Sequence, residues 1–434
     1  MTQTAYPRRK RSIMTSRERL QSALNHQEAD AVPVDFGGTF ITGIHCSVVG
    51  ELRQHFGLHQ HPVKVHEPFQ MLGLVEHDLM DALGIDVEGV FPPQTIFGFD
   101  NDRWKPWRTP WEQDVMVSYK FEVLSEPHTG DTFIYPQGDR SAPPSGHMPR
   151  GGYFFDSIIR QEPFEEEQLN PEDNLEEFAP LSEVDLQRIV QQVNDRQESS
   201  RGSIFAAPGT GLGDIALVPA PFLAHPKGIR DISEWYMSTS MRQPLIHRIF
   251  SAQVEIALDN LARIYAAIGN SIDVAVLCGT DFGTQTSRFC SVDTFRALWM
   301  PYYRKLNDWI HQHTQWKTFK HSCGAVEPLI ESFIDAGFDI LNPVQCSATG
   351  MDPRQLKQKY GDRLTFWGGG IDTQKLLPFG TPEQVREQVK QRLDIFSKGG
   401  GYVFNGIHNI QALSPLPNLL AMFEAVNDFN GVAR

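Results

Sequence analysis

"KTFKHSCGAVEPLIESFIDAGFDILNPVQ" covers residues 317–345. It opens with "KTFKHSCG" (317–324), a run of strand length that ends in polar residues and glycine, and closes with a second such run, "DILNPVQ" (339–345). Residues 324–336 between them carry a helical pattern. Strand, helix, strand is the unit of a parallel sheet with helical crossovers, and the same rhythm extends to both sides. "SIFAAPG" (203–209), "DVAVLCG" (273–279), "LTFWGGG" (364–370) and "GYVFNGIH" (401–408) read as strands, and residues 293–313, 352–360 and 382–398 as helices. "AVPVDFGG" (31–38) and "LGIDVEGVFPP" (83–93) add two N-terminal strands, which makes eight. The economical architecture is a (β/α)8 TIM barrel, with a doubly wound open sheet as the alternative.

The N-terminal half is more mixed. Thr15, Ser16, Arg17 and Glu18 have capping-box spacing, and Leu20, Ala23 and Leu24 follow at helical intervals. "FQMLGLVEHDLMDAL" (69–83) reads as a further helix. Residues 95–160 are rich in tryptophan, proline and alternating strands, and "HTGDT" supplies turn chemistry between "YKFEVL" and "FIYP". That stretch reads as a β-hairpin insertion. An acidic connector (161–183) leads to a helix near 183–198. Residues 1–14, with Arg8, Arg9, Lys10 and Arg11, read as a disordered basic arm, and residues 15–434 as one barrel domain.

The chain has 434 residues, 53 acidic and 39 basic, for a net charge of -14. Phosphate binding needs clustered positive charge, so nucleic acid is excluded as the main partner. No apolar stretch approaches the roughly 18 residues of a membrane span. Five cysteines are too few and odd in number for a disulfide framework, which points to a reducing, cytoplasmic setting. Cys46, Cys278 and Cys290 read as core thiols. The glycine runs "GLGD" (211–214), "WGGGID" (367–372) and "KGGGY" (398–402) read as tight turns, and Trp104, Trp107 and Trp111 as packing for the insertion.

In a TIM barrel the chemistry sits at the C-terminal strand ends. There the sequence offers Asp281, Gln285 and Arg288; then His321 and Cys323; then Asn342, Gln345 and Cys346; then Asp372 and Gln374; and finally His408, Asn409 and Gln411. One residue separates His321 from Cys323, so a persisting strand sends both side chains to one face. Imidazole nitrogen and thiolate sulfur are both zinc ligands, and a catalytic site uses three protein ligands. Cys346 and His408 are the candidates for the third.

"HSCG", with the stretch from "DILNPVQC" through "WGGGIDTQKLLPFGTPEQVREQV" and with "HNIQALSPLPNLLAMFEA", resembles the uroporphyrinogen decarboxylase superfamily, and "TSRERLQSALNHQEADAVPVDFGG" resembles its opening. The resemblance runs over most of residues 15–430 and implies a barrel. It also divides the superfamily's branches. Its porphyrinogen decarboxylases carry an arginine-rich "RQAGR" segment where this chain has "VPVDFGGTFITGIH" (32–45), without arginine. Its zinc methyltransferases carry the His-x-Cys that His321 and Cys323 match, with a third ligand, a cysteine, seven residues before a Pro-x-x-Asn. Pro415 and Asn418 place His408 at that position.

What the resemblance implies is a Zn2+-dependent methyltransferase or demethylase, with His321, Cys323 and His408 as ligands and Asp281 or Cys346 as a fourth. Asp281, Gln285 and Arg288 would be catalytic, and Asn342, Gln345, Asp372, Asn409 and Gln411 would bind a small-molecule substrate. Any corrinoid (cobalamin) would sit on a separate protein, because the chain has no "Asp-x-His-x-x-Gly". A homodimer is the default assembly. The rival readings are a carboxy-lyase acting on a small or tetrapyrrole acid and a non-catalytic corrinoid- or tetrapyrrole-binding module.

Overall fold

The computed structural model describes residues 13–431. Seven parallel strands form its main sheet, each paired with its neighbours in chain order: Val87–Val90, Gly202–Ala206, Val274–Cys278, Lys317–His321, Ile340–Asn342, Thr365–Trp367 and Tyr402–Val403. Most of their residues are buried on both faces, as expected where helices cover one side and the sheet itself encloses the other. Val87, Ile204, Val274, Val276, Phe319, Ile340, Trp367 and Val403 pack in one cluster with Leu20 and Leu24 of the first helix, Ser16–Leu24. Val87 and Val403 come from opposite edges of the sheet, so the sheet is curled around this cluster. The remaining inward surface of the helices packs on the other face.

Only part of the expected strand at 31–38 exists. Val34 makes a single parallel bridge to Phe404, and its carbonyl accepts the Asp86 amide. Residues 33–35 therefore touch both edges of the sheet, by Phe404 N to Pro33 O and Asp35 N to Phe404 O on one side and by Asp86 on the other. Glycines follow at once, and the chain leaves in a turn.

Elsewhere the structure corrects the sequence expectations. Residues 69–83 are not one helix. Met71 has φ +55°, Leu72–Gly73 pairs antiparallel with Ile44–His45 and with Val63–Glu67, and the helix begins only at His77. The apolar residues that suggested one helical stripe are buried by a strand and a turn. The helix expected over 293–313 breaks at Trp299 into Val292–Leu298 and Met300–His313, because Pro301 lacks the amide needed to continue the first ladder. The longest helix, Gln243–Ile268, and Ile232–Met241 before it lie where no element was expected.

Across the "HTGDT" turn Val123–Ser125 pairs with Thr132–Ile134, in a four-stranded antiparallel sheet with Gly146–Met148 and Asp156–Ser157. Trp104–Arg108 and Asp114–Ser118 instead join a five-stranded sheet with residues from 44–73, so the β-rich stretch is not self-contained. Trp107 packs on Phe121 and Trp111 on Tyr153. Most of the basic arm lies outside the described residues. Among those described, no helix is long and apolar enough to cross a membrane.

Candidate metal centre

Phe319 points into the curled sheet, so His321, two residues on, points the same way at the strand's end. The strand stops there because Gly324, at φ +90°, lies flat against the Gly283 backbone, where a Cβ would come within 2.3 Å. Cys323 is thereby held beside His321, with its Sγ 3.4 Å from His321 Nε2. His408, after the last strand, brings its ring to 5.5 Å from the His321 ring at 77°. One ligand atom from each of the three lies within 4.8 Å of the others.

Neighbouring strands fix these groups. Asn342 donates from Nδ2 to the Trp367 carbonyl at 2.8 Å, which leaves its Oδ1 to accept His321 Nδ1–H at 2.5 Å. That bond sets the tautomer, and the Nε2 lone pair faces Cys323 and His408. Gln345 Oε1 accepts the Gly324 amide at 2.7 Å, and Asp281 Oδ1 accepts the Cys323 amide at 2.7 Å while standing 3.8 Å from His321 Nε2. Burial, with the second ring nearby for His408, pushes both imidazoles down to about 4, so both are neutral donors at physiological pH. Burial and the Asp281 carboxylate push the Cys323 thiol well above its ordinary range. Two neutral imidazoles, one with a hydrogen-bonded outer nitrogen, and a thiol that a cation would deprotonate form a donor set compatible with zinc.

The other expected site residues divide. Asn342 and Gln345 are buried and brace the cluster from behind. Cys346 is not with it: its thiol lines a separate cavity of about 410 Å³ with Met351, Asp352 and Arg392, and burial raises it to about 11. Asp372 shapes a turn, its Oδ1 accepting the Gln374 and Lys375 amides. Asn409 ties Gly43 and Phe40 together and, with Gln411, bonds to Gln70. Gln285 is exposed and donates to Gln374 at 3.0 Å, and Arg288 stands exposed on the same loop. Cys46 is a core thiol as expected, Cys290 is half-buried, and the Cys278 side chain lies outside the described residues.

Two groups near the cluster escaped the sequence analysis. Asp214 belongs to the "GLGD" run read there as a turn, and is 8% exposed with its carboxyl pushed up to about 6 by burial and by Asp281. Tyr236, on an unexpected helix, donates its hydroxyl to the Asp281 carbonyl at 3.3 Å. An acidic residue closing a glycine run in the loop after a strand was the only available signal for the first, and the second had none.

Residues 222–429, which contain His321, Cys323, His408, Asp281 and Tyr236, match the family described as Uroporphyrinogen decarboxylase (URO-D). The chain carries a URO-D family domain. The chain is similar to curated uroporphyrinogen decarboxylases from Methylococcus capsulatus, 31% identical over 101 residues, and from Coxiella burnetii, 33% identical over 89 residues. The matches span 23% and 20% of this chain and 27% and 24% of those relatives, about a quarter of their length. A solved structure described as a methyltransferase from Methanosarcina mazei superposes with a TM-score of 0.53 at 16% identity, over 96% of this chain and 99% of the other. Residues 222–429 and the β-rich N-terminal half thus lie within one shared fold.

Proposed function

We propose that the protein is a zinc-dependent methyltransferase or demethylase that moves a methyl group between a small molecule and a thiol or a corrinoid carried by a separate protein. The observation that carries this reading is the convergence of His321, Cys323 and His408 from two strand ends into one cluster. In it, residues 33–35 serve as the eighth stave of a barrel formed by residues 15–434, with 95–160 as an insertion.

Bound zinc would act as a Lewis acid that lowers the pKa of a bound thiol and polarises a donor ether or amine. His321 and His408 would hold it with neutral nitrogens and Cys323 with sulfur. That gives one negative ligand charge where a His-Cys-Cys set gives two, and so a stronger Lewis acid. The chain's own residues do the rest. Asn342 locks His321 so that Nε2 and not Nδ1 faces the cluster. Asp281, beside the Cys323 thiol, is placed to receive the proton that the thiol gives up. The curled sheet below, closed by Phe319 and Trp367, excludes water from the floor of the site.

The test is elemental analysis of the purified full chain with His321→Ala, Cys323→Ala and His408→Ala variants, coupled to methyl transfer from a methylcorrinoid to a thiol. Near-stoichiometric zinc and turnover, both lost in all three variants, are expected. The rival reading, decarboxylation of a small acid, is favoured by the names of the curated relatives that match part of the chain, and opposed by the lack of arginine in residues 32–45. Carbon dioxide release that is indifferent to the three variants would establish it.

A further inference from the structure

We propose that the outer cavity beside Cys346 is a second ligand site, separate from the metal cluster, which holds a small oxyanion, the phosphate or carboxylate group of a metabolite, on the guanidinium groups of Arg392 and Arg354. The site stands whether or not the chain transfers methyl groups.

The cavity, of about 410 Å³, lies between the loop that follows the Ile340–Asn342 strand, the start of the Pro353–Tyr360 helix and the end of the Pro382–Phe396 helix. That volume suits a small molecule. Met351, Pro353 and Ile395 give it a buried apolar wall. The charged groups around that wall are two cations, Arg354 and Arg392, and one carboxylate, Asp352. An adjoining cavity of about 480 Å³ shares Arg354, but it sets Arg386 and Lys390 against Glu383, Glu387 and Asp394 and so offers an anion no comparable excess of positive charge.

The donors of this cavity are unmet, whereas its carboxylate has a structural task. Arg392 is half-buried, yet its guanidinium makes no hydrogen bond or ion pair with any described residue, and neither does that of the exposed Arg354. Asp352 caps the Pro353–Tyr360 helix, its Oδ1 accepting the Arg354 and Gln355 amides at 3.1 and 2.9 Å. Tyr402 adds a further unmet donor. It is 2% exposed, its ring stacks on Phe396 with centroids 5.1 Å apart, and its hydroxyl has no hydrogen-bond partner. Cys346 and Arg392 both act on the ionisation of that hydroxyl, so it lies within electrostatic reach of the two cavity residues. A guanidinium partly withdrawn from water carries five N–H donors, and an oxyanion satisfies them with charge-assisted hydrogen bonds that a neutral ligand matches only weakly and a cation opposes.

Inorganic phosphate and acetate are the probes, each titrated calorimetrically into the full chain at an ionic strength held constant with sodium chloride. Saturable binding of at least one of them is expected. A preference for phosphate marks a phosphorylated ligand and a preference for acetate a carboxylic acid, and either supports the site. Arg392→Gln should weaken binding at least about tenfold, and Tyr402→Phe about threefold. Arg354→Gln should weaken it as well, and because that position is exposed the test stands even if Arg392→Gln folds poorly. Cys323→Ala should leave the affinity unchanged, which separates this site from the metal cluster. Bound anion should also slow alkylation of Cys346 by iodoacetamide, followed by peptide mass spectrometry, without slowing that of Cys290. Absence of binding by both anions overturns the proposal, as does binding that survives Arg392→Gln and Arg354→Gln undiminished or is lost in Cys323→Ala.

Discussion

Cys323 and Cys346 follow adjacent parallel strands, and burial raises both thiols, yet they end in opposite surroundings. Cys323 faces two neutral imidazoles at the mouth of the curled sheet. Cys346 faces an outer cavity shared with Arg392, and its neighbour Gln345 instead reaches the site. What separates them is not thiol chemistry but backbone direction: Cys323 keeps the inward parity set by Phe319 and His321, whereas the loop after Asn342 turns at Val344, which has φ +57°. Backbone direction decides which cysteine joins the cluster.

The comparison breaks most visibly at the cluster itself. Cys323→Ala should lower zinc affinity at least about a hundredfold, beyond the range seen when only a supporting group is lost, and Cys346→Ala should leave it unchanged. Competition against a chromogenic chelator reads both. Next in size is Asn342→Ala, which frees the His321 ring. Affinity should fall about 10- to 100-fold, with circular dichroism unaltered.

Acid stability sharpens the contrast further. His321 and His408 are held near 4 against an ordinary 6.5, so between those values the unfolded chain binds protons that the folded chain does not. Metal-free protein should therefore lose stability as pH falls from about 6.5 towards about 4, and His408→Asn should flatten that slope in thermal melts across the range. Cys346 titrates far above it and contributes nothing there. The smallest effect belongs to Gln285→Ala. The residue is exposed and, among the described residues, hydrogen-bonds Gln374 and the Thr349 amide, so stability should change by less than about 0.5 kcal/mol in urea unfolding.

Much of the parallel sheet was legible because strands buried on both faces leave unbroken apolar runs, and glycine marks where each stops. "DVAVLCG" is of this kind, with a strand at Val274–Cys278 within it, whereas "KTFKHSCG" was legible from its length and closing glycine, and its strand Lys317–His321 buries the polar Thr318 and Lys320. The N-terminal half was not legible in the same way. Leu72–Gly73 is a two-residue strand set by partners 5 to 29 residues upstream, and its apolar neighbours mimic a helical stripe. In the site, His321, Cys323 and His408 could be named because strand ends constrain where they point. Asp214 and Tyr236 could not, since a long loop and an unanticipated helix bring them in.

Zinc-edge X-ray absorption on the zinc-loaded full chain tests the central claim most directly. The account predicts one sulfur at about 2.3 Å and at least two imidazole nitrogens at about 2.0–2.1 Å. Two sulfurs would bring Cys346 into the site against its observed direction, and a shell of oxygen and nitrogen alone would contradict the cluster as the metal's home.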